Sequence, residues 1–212
     1  INKIDGIERI RLGSIEPLLI TEEFVERLKK LEKICHHFHL SLQSGCNETL
    51  KRMNRRYTTE QFRNIVSILR RTYKDVNLTT DIIVGFPGET DKEFCQTYEF
   101  LKEIKFYKMH VFKYSPRKGT KAAVMENQVP GEIKEQRSRK LIELSNKNEL
   151  AYNNNYIGKE VDVLFEEEKA DVYKGHTQNY IMVYCESKEK LDNKIKRVKC
   201  KEAHEEYILA EI

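Results

Sequence analysis

The apolar residues of this chain change period as the chain runs. "HFHLSLQSG" (37–45) alternates and then breaks at Gly45, and "NLTTDIIV" (77–84) is β-rich, so both read as strands. "TEEFVERLKKLEKI" (21–34) follows a 3.6-residue period instead. Phe24, Leu28, Leu31 and Ile34 line one face, acids fill the first turn, and Thr21 stands at the N-cap. "TTEQFRNIVSILRRTY" (58–73), with its stripe Phe62, Ile65, Val66 and Leu69, and "TDKEFCQTYEFLKEI" (90–104) are two more helices. Each opens with capping-box spacing, Thr58 to Gln61 and Thr90 to Glu93. "ERIRLGS" (8–14) and "KMHVFKYS" (108–115) complete a set of four strands, and "NETLKRMNR" (47–55) is a short helix capped by Asn47. Strands alternating with helices imply βαβ units, a parallel sheet and right-handed crossovers.

The pattern changes after residue 115. "PRKGTKAAVMENQVPGE" (116–132) is a polar loop, and residues 133–155 form one long helix. Beyond Gly158 no helical period returns. "KEVDVLFEEE", "VYKGHT", "NYIMVYCES", "IKRVKCKEA" and "EEYILAEI" are short β-rich runs separated by turns, which predicts a small antiparallel β-barrel. The expected fold class is α/β, with part of a (β/α) barrel and a trailing helix in residues 1–150 and a small barrel in residues 151–212.

Composition adds limits. The chain is 39% apolar and 34% charged, and no apolar run approaches the ~18 residues that span a bilayer. It opens on "INKIDGIERIRLGSIEP", without Met or a signal peptide, and reads as a piece of a longer protein. Cysteines 35, 46, 95, 185 and 200 are scattered with no C-x-x-C, so no metal site built from them is expected. Residues 1–150 carry 28 Lys+Arg against 21 Asp+Glu, and residues 151–212 carry 10 against 13. The basic excess of the first part suits an anionic partner such as RNA, or ordinary solvated helix faces.

In parallel α/β folds ligands sit at the carboxyl ends of the strands. Here those ends are polar or glycine-containing. "GSIEP" offers Glu16, "LQSG" offers Gln43 and Ser44, and "KRMNRRY" offers Arg52, Arg55 and Arg56. "VGFPGET" offers Gly85, Pro87, Gly88 and Glu89, where a glycine at the strand end would let a ligand approach the backbone. "YSPRKGT" brings Arg117 and Lys118 to the fourth rim. A tight turn or a solvated charge run accounts for each of these alone. His36, His37 and His39 have no evident partners and read as packing or surface residues.

Together "SIEP" (14–17), "LQSGCNETLKRMNRRYT" (42–58), "TDIIVGFPGETDKEF" (80–94), "HVFKYSPRKGTKAA" (110–123) and "GHTQNYIMV" (175–183) closely resemble the radical-SAM methylthiotransferases. The likeness is greatest to the tRNA-modifying MiaB and MtaB branches, closest to MtaB, and less to the ribosomal-protein branch, RimO. It implies a parent enzyme with two [4Fe-4S] clusters, a partial barrel that holds S-adenosylmethionine, and a C-terminal TRAM barrel that binds RNA. One S-adenosylmethionine would donate methyl and another would be cleaved reductively at the barrel cluster.

By this resemblance the parent is a cytoplasmic tRNA methylthiotransferase. It would act on N6-threonylcarbamoyladenosine in the anticodon stem-loop and take electrons from a reductant protein. Isopentenyl-adenosine, a ribosomal protein, or RNA binding alone remain the alternatives. The family's C-x-x-x-C-x-x-C is not found here, so no cluster ligand is carried over and the chain alone is expected to be inactive. Glu16, Gln43, Ser44, Arg55, Gly85, Pro87, Gly88 and Glu89 match the S-adenosylmethionine wall, with Asp81 structural. Arg117, Lys118, Thr177, Asn179, Tyr180 and Lys199 match RNA contacts, and Tyr180 and Tyr184 would stack on bases. In "KIKRVKCK" (194–201) strand alternation puts Ile195, Arg197, Lys199 and Lys201 on a mostly cationic face.

Overall fold

The computed structural model describes all 212 residues. Its first half is a parallel four-stranded sheet in the order β1 (Ser14–Ile15), β2 (His37–Gln43), β3 (Asn77–Val84) and β4 (Lys108–Lys113). The connections carry α1 (Glu22–Lys29), α2 (Asn47–Arg52), α3 (Thr59–Thr72) and α4 (Asp91–Ile104). Alternation decides the faces of the sheet. Phe38, Leu40, Leu42, Leu78, Ile82 and Met109 are buried with Phe62, Leu69, Phe100 and Leu101 of the helices in one apolar core. Losing one of the large rings, Phe62 for example, would cost about 3–5 kcal/mol.

Both capping boxes form, with Thr58 and Gln61 closing the start of α3 and Thr90 and Glu93 closing that of α4. Arg52 of α2 grips the Glu93 carboxylate through two guanidinium nitrogens at 2.8 and 2.9 Å, tying α2 to the first turn of α4.

Several elements differ from the sequence expectation. The 8–14 run pairs only at Ser14 and Ile15, with one isolated bridge from Ile10 to Ile34. Its arginines reach across to the second barrel instead. Arg9 donates to the carbonyls of His176 and Asp162, and the Arg11 guanidinium lies 4.3 Å from the Tyr180 ring centre. Helix α1 ends at Lys29, so Leu31 is exposed and Ile34 enters the strand-like bridge. Asn47 does not cap α2. Cys46 holds that position, and the Asn47 side chain accepts from the Thr59 amide at 2.8 Å, clamping the start of α3. The 116–132 loop contains a short 3-10 turn, Lys121–Val124.

Helix α5 (Gly131–Asn154) runs alongside β4, with the Ser145 hydroxyl accepting from the Met109 amide and Leu141 and Leu144 entering the first core. Then β5 (Glu160–Lys169), β6 (Val172–Thr177), β7 (Met182–Glu186), β8 (Ile195–Ala203) and β9 (Ile208–Glu211) close a barrel in the order β5-β6-β7-β9-β8. It is not wholly antiparallel, because β7 and β9 run parallel. Five is an odd number, and a closed ring of an odd number of strands must contain at least one parallel pair. Val163, Phe165, Tyr173, Val183, Val198 and Ile208 fill its interior as a second core. At Gly175 a Cβ would overlap the Leu164 backbone, so the β5–β6 pair closes only over a glycine.

Candidate functional site

At the carboxyl end of the sheet lies a cleft of about 610 Å³. Gln43, Asp81, Phe112, Tyr114 and Arg117 are among the residues that line it. Gln43 ends β2 at φ 70°, after a register shift between Leu40 and Gln43. An irregular strand end with a non-glycine residue in the left-handed region is a strained feature of the kind that collects at binding sites. The Gln43 amide makes no hydrogen bond inside the chain. The Tyr114 hydroxyl is buried without a partner, and the Phe112 ring is 53% exposed.

The other strand-end residues are placed differently. Ser44 turns into the protein and meets the Thr97 hydroxyl of α4 at 3.2 Å. Glu16 is exposed at the end of β1, and Arg55 is half-buried near Tyr57. The Tyr57 hydroxyl donates to the carbonyls of Ser41 and Leu42, and burial pushes its pKa up to about 12. The 85–89 turn closes on itself. The buried Glu89 carboxylate accepts from the amides of Gly85 and Phe86 and faces Arg137 of α5 at 3.4 Å.

Gly85 has φ 70°, and a Cβ there would run into the aliphatic stem of Lys134, whose ammonium donates to the Tyr114 carbonyl at 3.0 Å. This corrects the expectation of open ligand space beside Gly85, because α5 already fills it. Pro87 is buried in the same turn, and Gly88 lies against Arg52.

The residues matched to RNA contact also separate. Arg117 and Lys118 are exposed in the loop beside the cleft. Thr177 and Asn179 are buried and engaged within the chain. The Thr177 hydroxyl donates to Asn179 at 2.6 Å, and the Asn179 amide donates to Tyr156 Oη and to the Asp75 carbonyl. They join the β6–β7 hairpin to the first sheet. Tyr180 stacks on His176 at 4.1 Å and also meets His37 and Arg11, so its ring is shared between the two halves. Tyr184 packs edge-on against Tyr207 at the barrel surface.

On β8, Val198 and Cys200 point inward and Arg197, Lys199 and Lys201 outward, as alternation requires. The outward cations are interleaved with acids. Arg197 lies 3.4 Å from Glu160, Lys201 pairs with Glu211, and Lys199 stands in register between Glu160 and Glu211. The cationic strip is therefore locally neutralised.

The opposite face of the sheet from the helices holds a group that sequence reasoning passed over. His39 Nε2 lies 3.2 Å from Asp81 Oδ2, and His110 stands opposite Asp81 in register on β4. The Thr79 hydroxyl oxygen lies 2.9 Å from His39 Nδ1 and 3.1 Å from His37 Nε2. Burial, with the Arg11 charge next, pushes His37 down to about 3, so it is neutral at ordinary pH. The alternation of "HFH", "TTD" and "KMH" was the available signal. Only the register shows that these alternations meet.

An S-adenosylmethionine molecule fits the donor set of the cleft. The Gln43 amide, free of partners within the chain, and the exposed Phe112 ring are the group types that would meet its polar edge and its base. An iron–sulfur cluster does not fit this chain's own thiols. Cys35 and Cys46 flank opposite ends of β2, and Cys185 and Cys200 point into the second core. Burial pushes these four thiols up, which disfavours the thiolate that a cluster needs, and the fifth cysteine, Cys95, is exposed on α4.

Residues 1–101 match the Radical SAM superfamily. Over 202 residues the chain is 42% identical to the threonylcarbamoyladenosine tRNA methylthiotransferase MtaB of Bacillus subtilis, covering 93% of this chain and 45% of that protein. It is 39% identical over 202 residues to a tRNA-2-methylthio-N(6)-dimethylallyladenosine synthase of Acetivibrio thermocellus, covering 94% and 42%. It therefore spans about half the length of the curated relatives it matches. Among solved structures, the coproporphyrinogen III oxidase HemN of Escherichia coli, described as a radical SAM enzyme, superposes with a TM-score of 0.57. That match covers 80% of this chain and 46% of HemN at 16% identity, a likeness of fold. Residues 1–101 thus match the Radical SAM superfamily, and nearly the whole chain is similar in sequence to part of the tRNA methylthiotransferases.

Proposed function

We infer that the chain supplies the later strands of an S-adenosylmethionine-binding barrel and an RNA-binding TRAM barrel to a cytoplasmic tRNA methylthiotransferase. The division would fall at 150/151, within the long helix α5. The reaction would add a methylthio group to C2 of N6-threonylcarbamoyladenosine beside the anticodon. The observation that carries this reading is the alignment of nearly the whole chain with MtaB at 42% identity. When bound, S-adenosylmethionine and the parent's two [4Fe-4S] clusters would supply methyl, sulfur and radical chemistry, with electrons from a reductant protein.

The chain's own residues bind and orient. Gln43 would hydrogen-bond the cofactor at the end of β2, and Phe112 would offer a ring for its base. Glu16 and Arg55 stand at the neighbouring rim and would meet its polar groups. The 85–89 turn would act indirectly: Glu89, Arg137 and Lys134 hold it rigid, and that fixes the ends of β3 and β4. Arg117 and Lys118, exposed beside the cleft, would contact tRNA phosphates, with Lys199 a further contact on the second barrel.

A second reading, with a dimethylallyladenosine substrate, is favoured by the names of the relatives from Acetivibrio thermocellus and Caldicellulosiruptor saccharolyticus. Mass spectrometry of tRNA nucleosides from a strain lacking the parent gene separates the two. Loss of the methylthio-threonylcarbamoyl nucleoside supports the first reading, and loss of the dimethylallyl counterpart supports the second. If both nucleosides persist while a ribosomal protein loses its methylthio group, the tRNA reading is wrong.

A further inference from the structure

We propose that His39, Asp81 and His110 form a binding site for a divalent transition-metal ion on the open face of the parallel sheet. Three neighbouring strands each contribute one ligand, from β2, β3 and β4 in turn. Their donor atoms all lie within 4.8 Å of one another. Two donors on one zinc-sized ion stand at most about 4 Å apart. His39 Nε2 and Asp81 Oδ2, at 3.2 Å, already meet that limit. His110 is exposed, so a change of rotamer suffices to bring its ring nitrogen in.

The arrangement around His39 resembles an outer coordination shell. Metal-bound histidines usually donate their second ring N–H to a fixed acceptor, which sets the tautomer and aims the other nitrogen. Thr79 Oγ1 is such an acceptor, 2.9 Å from His39 Nδ1 and buried. If Nδ1–H donates to Thr79, the Nε2 lone pair faces the Asp81 carboxylate. Two electron-rich atoms 3.2 Å apart then call for a cation between or beside them.

The protein has one alternative without a metal. Thr79 would donate to His39 Nδ1, and His39 Nε2–H would donate to Asp81, closing the site with a hydrogen bond. The two arrangements are tautomers of one neutral imidazole, so metal binding would move the ring proton from Nε2 to Nδ1 and turn the Thr79 hydroxyl from donor to acceptor, with no net loss of a proton.

Two imidazoles and one carboxylate suit zinc, cobalt, nickel or ferrous iron better than calcium or magnesium. Three protein ligands leave coordination positions open. They face the side of the sheet where Asp81 borders the 610 Å³ cleft, so water or an oxygen or nitrogen of a bound molecule would complete the shell. Lys108, also on β4, is held by Glu149 at 3.2 Å rather than by the proposed ligands. The site uses no cysteine and does not depend on the reading of function above.

The test is a titration of the 212-residue chain with Co²⁺, followed by visible absorption, and with Zn²⁺, followed by calorimetry. One ion per chain is expected, with d–d bands of a nitrogen–oxygen site and no thiolate charge-transfer band. Asp81→Asn and His110→Ala should each weaken binding by about tenfold or more. His110 is exposed, so its variant should fold as the parent does, which circular dichroism checks. Equal affinity in the parent and the His110→Ala variant would overturn the proposal. So would a thiolate band, or no binding at micromolar metal.

Discussion

Glu89 and Asp81 are carboxylates eight residues apart, one just past the end of β3 and one within it, and their surroundings differ in kind. The Glu89 side chain is 4% exposed, accepts from two backbone amides and faces Arg137. Asp81 is 28% exposed and meets a single imidazole beside a cleft. Burial pushes Glu89 up, with Arg137 and the two amide donors opposing it. A carboxylate whose oxygens are already taken up by the chain has little to offer a ligand. One with an open side and a single imidazole partner does. The glycine-rich turn, the more conspicuous motif, is a closed structural joint, and the plainer strand face beside it is the open one.

Breaking that joint should give the largest effect. Arg137→Met removes the guanidinium from a buried carboxylate and should destabilise the chain by about 3–5 kcal/mol, read as a lower urea midpoint. A loss near zero would mean that Glu89 is not held by Arg137, and the contrast with Asp81 would collapse. Gly85→Val comes next, at about 1–3 kcal/mol, because φ is 70° and the new side chain meets Lys134. Adding Lys134→Ala should recover the steric part but not the backbone part. Full recovery would show that φ carries no strain.

Glu149 of α5 sharpens the comparison through pH. Burial pushes it up from 4.5 to about 7, and Lys108 at 3.2 Å opposes the shift. Between those values the folded chain keeps a proton that the unfolded chain has lost, so this group makes stability fall as pH rises through that window. Glu149→Gln should flatten that slope in denaturation profiles between pH 4.5 and 7, and an unchanged slope would assign it elsewhere. The smallest effect is expected for Asp81→Asn, under about 1 kcal/mol in the absence of metal. A larger loss would show that Asp81 is a fold-holding group like Glu89.

The amino-acid sequence alone determined the alternation of strands and helices, both capping boxes, and the five β-rich runs of the second barrel. These rest on local periods and on side chains three residues apart, which need no distant partner. It also carried the resemblance to the radical-SAM methylthiotransferases, because five motifs occur in one order. Tertiary structure decided what distant residues do to one another. Whether Gly85 faces a ligand or Lys134 depends on α5, whose first turns lie about fifty residues away in sequence. Thr177 and Asn179 became buried joints because Asp75 and Tyr156 come to meet them. The parallel β7–β9 pair follows from closing an odd ring, which no single strand's sequence records. His39, Asp81 and His110 each show only a polar residue in an alternating run, and strand register across the sheet brings the three together.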